Sequence, residues 1–118
     1  MLFPISNQAL CALTAAVYLS AMGQVGLSQA ATLCTSKAHY LAEKLCEIDG
    51  VEMVHEGEYF HEFVTTLPKC DEVLAELEAE GILGGYPTEK GVLWCVTEVV
   101  TKGELDRAAE IVKEVLAR

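Results

Sequence analysis

Two hydrophobic periodicities alternate along the chain. Leu27, Ala31, Cys34, Ala38, Leu41, Leu45 and Ile48 recur at steps of 4, 3, 4, 3, 4 and 3, the spacing that puts side chains on one stripe of an α-helix. Lys37, Glu43, Lys44 and Glu47 keep mostly to the opposite side, and Asp49-Gly50 stops the run. The pattern predicts a helix from Leu27 to Ile48 packed by one stripe on a sheet. The period then changes to two. Val51 to Val54 reads as a short strand, Glu56-Gly57-Glu58 as a turn, and Tyr59 to Leu67 as a second strand ended by Pro68. Phe60 and Val64 fall on one face of it, and Tyr59, Phe63 and Leu67 on the other.

A further helix carries Val73, Leu74 and Leu77, with Asp71 and Glu72 suited to its N-terminal dipole and Gly81 closing it. Ile82 to Pro87 reads as irregular and Thr88 to Gly91 as a polar turn. Val92 to Val99, rich in Val, Leu and Trp, is a buried third strand. Thr101 and Glu104 form a capping box in which hydroxyl and carboxylate satisfy free N–H groups reciprocally. The last helix then turns Leu105, Ala108, Ala109, Val112, Val115 and Leu116 to one face.

The opening segment is of another kind. Ser6 or Asn7 can cap a helix over Gln8 to Met22, and Gly23 and Gly26 bracket its end. Leu10, Cys11, Leu13, Ala15, Ala16, Val17, Leu19 and Met22 make it apolar on nearly every face. Such a helix must be covered all round, and the remaining residues are too few to wrap it. The predicted order is α-α-β-β-α-β-α. It implies an α/β (α+β) two-layer sandwich, a three-stranded, mainly antiparallel sheet with helices on one face. Residues 1–118 form a single domain, with 6–26 a joining helix and 27–118 a small α/β unit.

Charge sharpens this picture. The 118 residues carry a formal net charge of -10, which argues against nucleic acid as a partner because phosphate binding needs a basic patch. Met1 to Ser36 contain no Asp, Glu, Lys, Arg or His. A secretory signal needs a basic start, and a membrane span needs about 20 mostly apolar residues. Leu10 to Met22 is shorter than that, so the expectation is no membrane and a buried protein–protein or domain–domain contact. The five cysteines, Cys11, Cys34, Cys46, Cys70 and Cys95, form no CxxC pair and read as reduced core thiols in a cytoplasmic protein.

Candidate chemistry is sparse. His55 and His61 flank the acidic turn at Glu56 and Glu58, a conceivable metal pair, but the plainer reading is a solvated hairpin, and no helical HExxH spacing is present. No GxSxG occurs, and Gly84-Gly85 lies outside any strand–glycine–helix phosphate loop. The residues point to no catalytic, cofactor-binding or metal site within the chain.

Five blocks nevertheless resemble one family, in its order and over nearly the whole chain. They are Ser6 to Ser20 (SNQALCALTAAVYLS), Lys37 to Glu43 (KAHYLAE), Phe60 to Val64 (FHEFV), Gly81 to Gly85 (GILGG) and Leu93 to Glu98 (LWCVTE). Together they resemble the C-terminal domain of subunit 1 of glycine dehydrogenase (decarboxylating), the P-protein of the glycine cleavage system. The resemblance implies the small domain of a fold-type I pyridoxal-phosphate enzyme. It implies an oxidoreductase that decarboxylates glycine, with the cofactor ring as electron sink, and passes the aminomethyl group to the lipoyl arm of H-protein.

It further implies that the cofactor lysine lies on subunit 2, so pyridoxal phosphate belongs to the partner subunit and this chain holds none. The family has a large domain before Asn7 where this chain has only five residues before Ser6, and Pro87 to Gly91 is short for its loop. The chain is therefore expected to be a fragment, inert alone. Its partners would be the missing N-terminal large domain, glycine dehydrogenase subunit 2 and H-protein.

None of the six lysines matches a cofactor-lysine motif, and all are expected to be surface charge. Arg107 and Arg118, the only arginines, lie on the last helix, where neither is expected to clamp a substrate carboxylate. Asn7, Gln8, Gly84 and Gly85 are the interface candidates, with capping and turn geometry as the competing explanation. Two other readings stay open: a stand-alone homo-oligomeric interaction module, and the small domain of another pyridoxal-phosphate enzyme.

Overall fold

The computed structural model describes residues 8–118. Helix α1 (Gln8–Cys46) opens the described chain. Strand β1 (Glu62–Thr65), helix α2 (Cys70–Ala79), strands β2 (Tyr86–Thr88) and β3 (Gly91–Cys95) and helix α3 (Lys102–Leu116) follow. The two opening helices predicted from the sequence are both present within α1, meeting at a kink at Gly23, and the second begins directly after it, earlier than Leu27. Gly23 has φ 63° and ψ -179° inside α1, which a side chain would resist.

The sheet is antiparallel throughout, in the order β1-β3-β2. Register pairs Phe63 with Trp94 and Thr65 with Val92. All four are buried and face the helices, while Glu62, Val64, Leu93 and Cys95 alternate to the other face. Trp94 donates its indole N–H to the Thr65 hydroxyl at 2.9 Å, which satisfies the one buried polar side chain among the described residues. Against this face pack Ala38, Leu41, Ala42 and Leu45 of α1, Val73 and Leu77 of α2, and Leu105, Ala108, Ala109, Ile111, Val112 and Val115 of α3. The result is the two-layer α/β arrangement expected.

The strands differ from the prediction. Val51 to Val54 forms only a single bridge, Met53 opposite Thr65. It is flanked by bonds from the Val54 N–H to the Val64 carbonyl at 2.9 Å and from the Thr66 N–H to the Glu52 carbonyl at 2.8 Å. The Thr66 hydroxyl accepts the Glu52 N–H at 2.9 Å where the next ladder bond would fall, and itself donates to the Gly50 carbonyl at 3.1 Å. The third strand is instead β2, in the segment read as irregular and polar turn. Pro87 is tolerated there because an edge strand need not donate on its open side. Strands β1 and β3 are also shorter than their apolar runs, the latter leaving the sheet at Val96, whose N–H bonds the His61 carbonyl at 2.9 Å.

At α3 the Thr101 hydroxyl accepts from the Glu104 N–H at 3.3 Å, and the Thr101 N–H donates to the Glu104 carboxylate at 2.7 Å, the reciprocal cap expected. Gly81, with φ +76°, ends α2.

Candidate functional site

The largest feature available to a partner is the first half of α1. Every residue from Gln8 to Ala21 is exposed. Leu10, Leu13 and Val17, at helical spacing, are 64%, 61% and 62% exposed, and Tyr18 and Leu19 beside them are exposed too. Burial begins at Cys34 and runs through Ala38, Leu41, Ala42 and Leu45, so the predicted stripe is core from its third residue onward and Leu27 and Ala31 lie outside it. Taken whole, α1 is long and apolar enough to cross a membrane by length and composition, with no residue of its most apolar 18-residue window buried. That length exceeds the Leu10 to Met22 stretch considered from the sequence.

Of the interface candidates, Asn7 lies outside the described residues. Gln8 is exposed at the start of α1. Gly84 and Gly85 are half-buried, and packing already accounts for both. A Cβ on Gly84 would come within 2.9 Å of Leu74 Cδ2 and Leu77 Cδ1. One on Gly85 would come within 2.2 Å of Val92 Cγ1 and 2.7 Å of the Leu93 carbonyl oxygen. Their neighbours Leu83 and Tyr86 are 96% and 71% exposed. These two apolar side chains beside the glycines were not singled out from the sequence, although their places flanking Gly84-Gly85 were a usable signal.

Both arginines and three of the six lysines have partners. Arg107 reaches Glu80 at 3.5 Å and Glu110 and Glu114 at 3.7 Å, and Arg118 reaches Glu76 at 3.4 Å. Lys37 is not the surface charge expected. Its ammonium donates to the carbonyls of Glu98 and Val100, each at 2.5 Å, because α1 passes over the β3–α3 connection there. One turn earlier the Cys34 thiol donates to the Glu98 carboxylate at 3.3 Å. Burial pushes this thiol's pKa up, and its bond to Glu98 adds to the shift. Lys102 sits 5.0 Å above the Tyr40 ring. The Tyr40 hydroxyl donates to Asp106, and the Lys102 ammonium reaches the same carboxylate at 2.9 Å. These bonds hold the Asp106 carboxyl below its usual range.

Only Cys34 of the five cysteines is buried. Cys70 is half-buried and Cys11, Cys46 and Cys95 are exposed, so the core-thiol expectation holds for one position. An apolar neighbourhood in sequence does not decide which way a helix end or a strand turns a side chain. His55, conceivable with His61 and a Glu as a metal site, is not part of the cluster that holds His61. Among the described residues, the His, Cys and acidic side chains close enough to share an ion are His61, Glu62 and Cys95.

With this geometry in hand, the chain can be set beside known proteins. A family model described as "Glycine cleavage system P-protein" matches residues 5–112. The chain belongs to the glycine cleavage system P-protein family. Probable glycine dehydrogenase (decarboxylating) subunit 1 of Chlorobium limicola is 47% identical to it over 107 residues, 86% of this chain and 24% of that protein. The protein of the same name from Moorella thermoacetica is 42% identical over 120 residues, 95% and 27%. A crystal structure of glycine decarboxylase (P-protein) of the glycine cleavage system, in inhibitor-bound form, overlays with a TM-score of 0.82 and 34% identity. The overlay covers 93% of this chain and 26% of that one. The chain thus spans about a quarter of the length of the P-protein relatives it matches. The overlay takes in most of α1, so the exposed helix is part of the P-protein fold.

Proposed function

We propose that this chain serves as the small C-terminal domain of glycine dehydrogenase (decarboxylating) subunit 1, within the glycine cleavage system in the cytoplasm. Residues 6–26 act as the joining helix and 27–118 as the α/β unit. The complete enzyme decarboxylates glycine and passes the aminomethyl group to the lipoyl arm of H-protein, and this domain contributes structure and interface to it.

The observation that carries the reading is the continuous exposure of an uncharged apolar helix, Gln8 to Ala21, in a chain a quarter as long as its relatives. Each Leu or Val covered by protein there contributes about 1.5–3 kcal/mol. A large domain of subunit 1 and the facing subunit 2 supply that cover.

Pyridoxal phosphate supplies the electron sink of the reaction in this family, and the residues of this chain do not fit it. A cofactor lysine must be free in a polar cleft. Here Lys37 is held by two carbonyls, Lys44 is paired with Glu47, Lys102 is paired with Asp106, and Lys69, Lys90 and Lys113 stand in solvent. The family resemblance puts the cofactor lysine on subunit 2, and we assign the cofactor there.

The test is co-expression of the chain with subunit 2 and with the remaining segment of a subunit 1 relative, followed by size-exclusion chromatography and borohydride trapping. A complex should form, and Leu13→Glu with Val17→Glu should weaken it at least tenfold while leaving the domain folded. Cofactor should be trapped only on subunit 2. A chain that alone fixes pyridoxal phosphate through a borohydride-reducible linkage overturns the assignment. The same exposed helix also suits a homo-oligomer, and a concentration-independent dimer that ignores both partners would establish that reading instead.

A further inference from the structure

On the face of the sheet opposite the helices, we infer a binding site for a borderline divalent metal ion of the zinc type, formed by His61, Glu62 and Cys95. The β1–β3 register sets Glu62 directly opposite Cys95, so both side chains leave the same face of adjacent strands. His61 precedes β1 at a bend, and its carbonyl accepts the Val96 N–H, which fixes its backbone beside the end of β3. The Phe60 ring meets the imidazole edge-on, with centroids 4.7 Å apart and planes at 83°.

From this arrangement a ring nitrogen of His61, a carboxylate oxygen of Glu62 and the Cys95 sulfur all lie within 4.8 Å of one another. The imidazole also has an unmet hydrogen-bonding requirement. Among the described residues, His61 Nδ1 is the one buried side-chain nitrogen or oxygen left without a hydrogen-bond partner, a condition that costs free energy unless something satisfies it.

The donor set selects the ion. Thiolate, imidazole and carboxylate together suit zinc, while magnesium and calcium call for oxygen ligands. Zinc distances of about 2.0–2.3 Å place tetrahedral ligand atoms about 3.5 Å apart. The present cluster must therefore tighten by about 1 Å. Glu62 and Cys95 are exposed and can rotate that far. Three protein ligands leave the fourth position for water or for a side chain of a partner. Binding replaces the S–H bond of Cys95 with a sulfur–metal bond, and the proton goes to solvent. Burial, with the Glu62 carboxylate adding to it, pushes this thiol's pKa up, so the empty site holds the proton at neutral pH.

The experiment is titration of the full chain with cobalt(II) alone, then displacement by zinc against a chromophoric chelator. Cobalt should give a thiolate-to-metal charge-transfer band and the visible bands of a tetrahedral site. Cys95→Ser should abolish the charge-transfer band. Cys95→Ser, Glu62→Gln and His61→Gln should each weaken zinc at least about tenfold, with far-UV circular dichroism unchanged. The first two alter exposed side chains, so they remain informative if the histidine variant folds poorly. Cys46→Ser, an exposed thiol elsewhere, should leave both readouts in place. A charge-transfer band that survives Cys95→Ser, or zinc affinity equal in Cys95→Ser and the unaltered chain, overturns the site.

Discussion

Substituting alanine for Gly85 should destabilise the domain by about 1–3 kcal/mol, the range for overfilling a packed site. The added Cβ would stand 2.2 Å from Val92 Cγ1, 2.7 Å from the Leu93 carbonyl oxygen and 3.3 Å from its carbon. Non-bonded carbons settle at about 3.5–4.0 Å, so the overlap with Val92 exceeds about 1 Å. Neither neighbour yields easily. Val92 is 1% exposed and β-branched, which leaves it few rotamers. The Leu93 carbonyl belongs to β3, where Leu93 pairs with Tyr86 of β2. Relief requires β2 to lift from β3.

Gly84 gives the internal contrast. Its Cβ would come within 2.9 Å of Leu74 Cδ2 and Leu77 Cδ1. Leu77 is fully buried, but both close atoms are side-chain ends and none is backbone, so Gly84→Ala should cost less than Gly85→Ala. At Gly103 a Cβ meets nothing within 4 Å, and alanine there should be neutral or stabilising by up to about 1 kcal/mol. Urea unfolding followed by Trp94 fluorescence gives the order directly. For a chain of this size the Gly85→Ala loss appears as a Tm lower by roughly 4 °C per kcal/mol. A Gly85→Ala protein with the midpoint and slope of the unaltered chain would refute the packing argument. If that protein also failed to join its partners, the glycine would be required at an interface instead.

Trp94→Phe removes the donor to Thr65, leaving its hydroxyl buried and unpaired, and should lower stability by about 1–3 kcal/mol in chemical unfolding. Thr101→Ala breaks the α3 cap and should cost about 1 kcal/mol at neutral pH. The Thr101 N–H and hydroxyl hold the Glu104 carboxyl below its usual range. A depressed folded-state pKa contributes stability above the unfolded carboxylate value of about 4.3 that is lost as pH falls through the folded value. The Tm gap between the unaltered chain and Thr101→Ala should therefore narrow as the solution is acidified below pH of about 4. A gap constant from pH 7 to pH 3 would show that the bond from the Thr101 hydroxyl to this carboxylate adds nothing to the cap.

What the sequence disclosed depended on whether a signal was local. The capping box of α3 spans four residues and was legible, as was the stripe from Cys34 to Leu45, because helical period is a property of one segment. Strand β2 escaped notice because its three residues are all exposed and one is proline, so neither alternation nor propensity marked it. Val51 to Val54 was read as a full strand because nothing in those residues reveals that the Thr66 hydroxyl takes the Glu52 N–H where the next ladder bond would fall. The grouping of His61 and Glu62 with Cys95 depends on strand register across 33 positions, which no local pattern encodes. His55, nearer in sequence, was the natural guess.

The boundary between charged and uncharged sequence coincides with a physical one. Cys34 and Lys37, one turn apart, tie α1 to the Glu98–Val100 carbonyls and carboxylate. From there on, α1 is core, and residues 8–21 are exposed throughout. An isolated helix of that length is marginal in water even with good helix formers, and Gly23, with its positive φ, interrupts helical geometry between it and the anchored half. Exposed Leu10, Leu13 and Val17 gain nothing from water that would hold them in place. The free energy that keeps this segment helical therefore has to come from burial against another surface. The matched relatives are about four times as long as this chain, and a segment free of charge is what such burial favours.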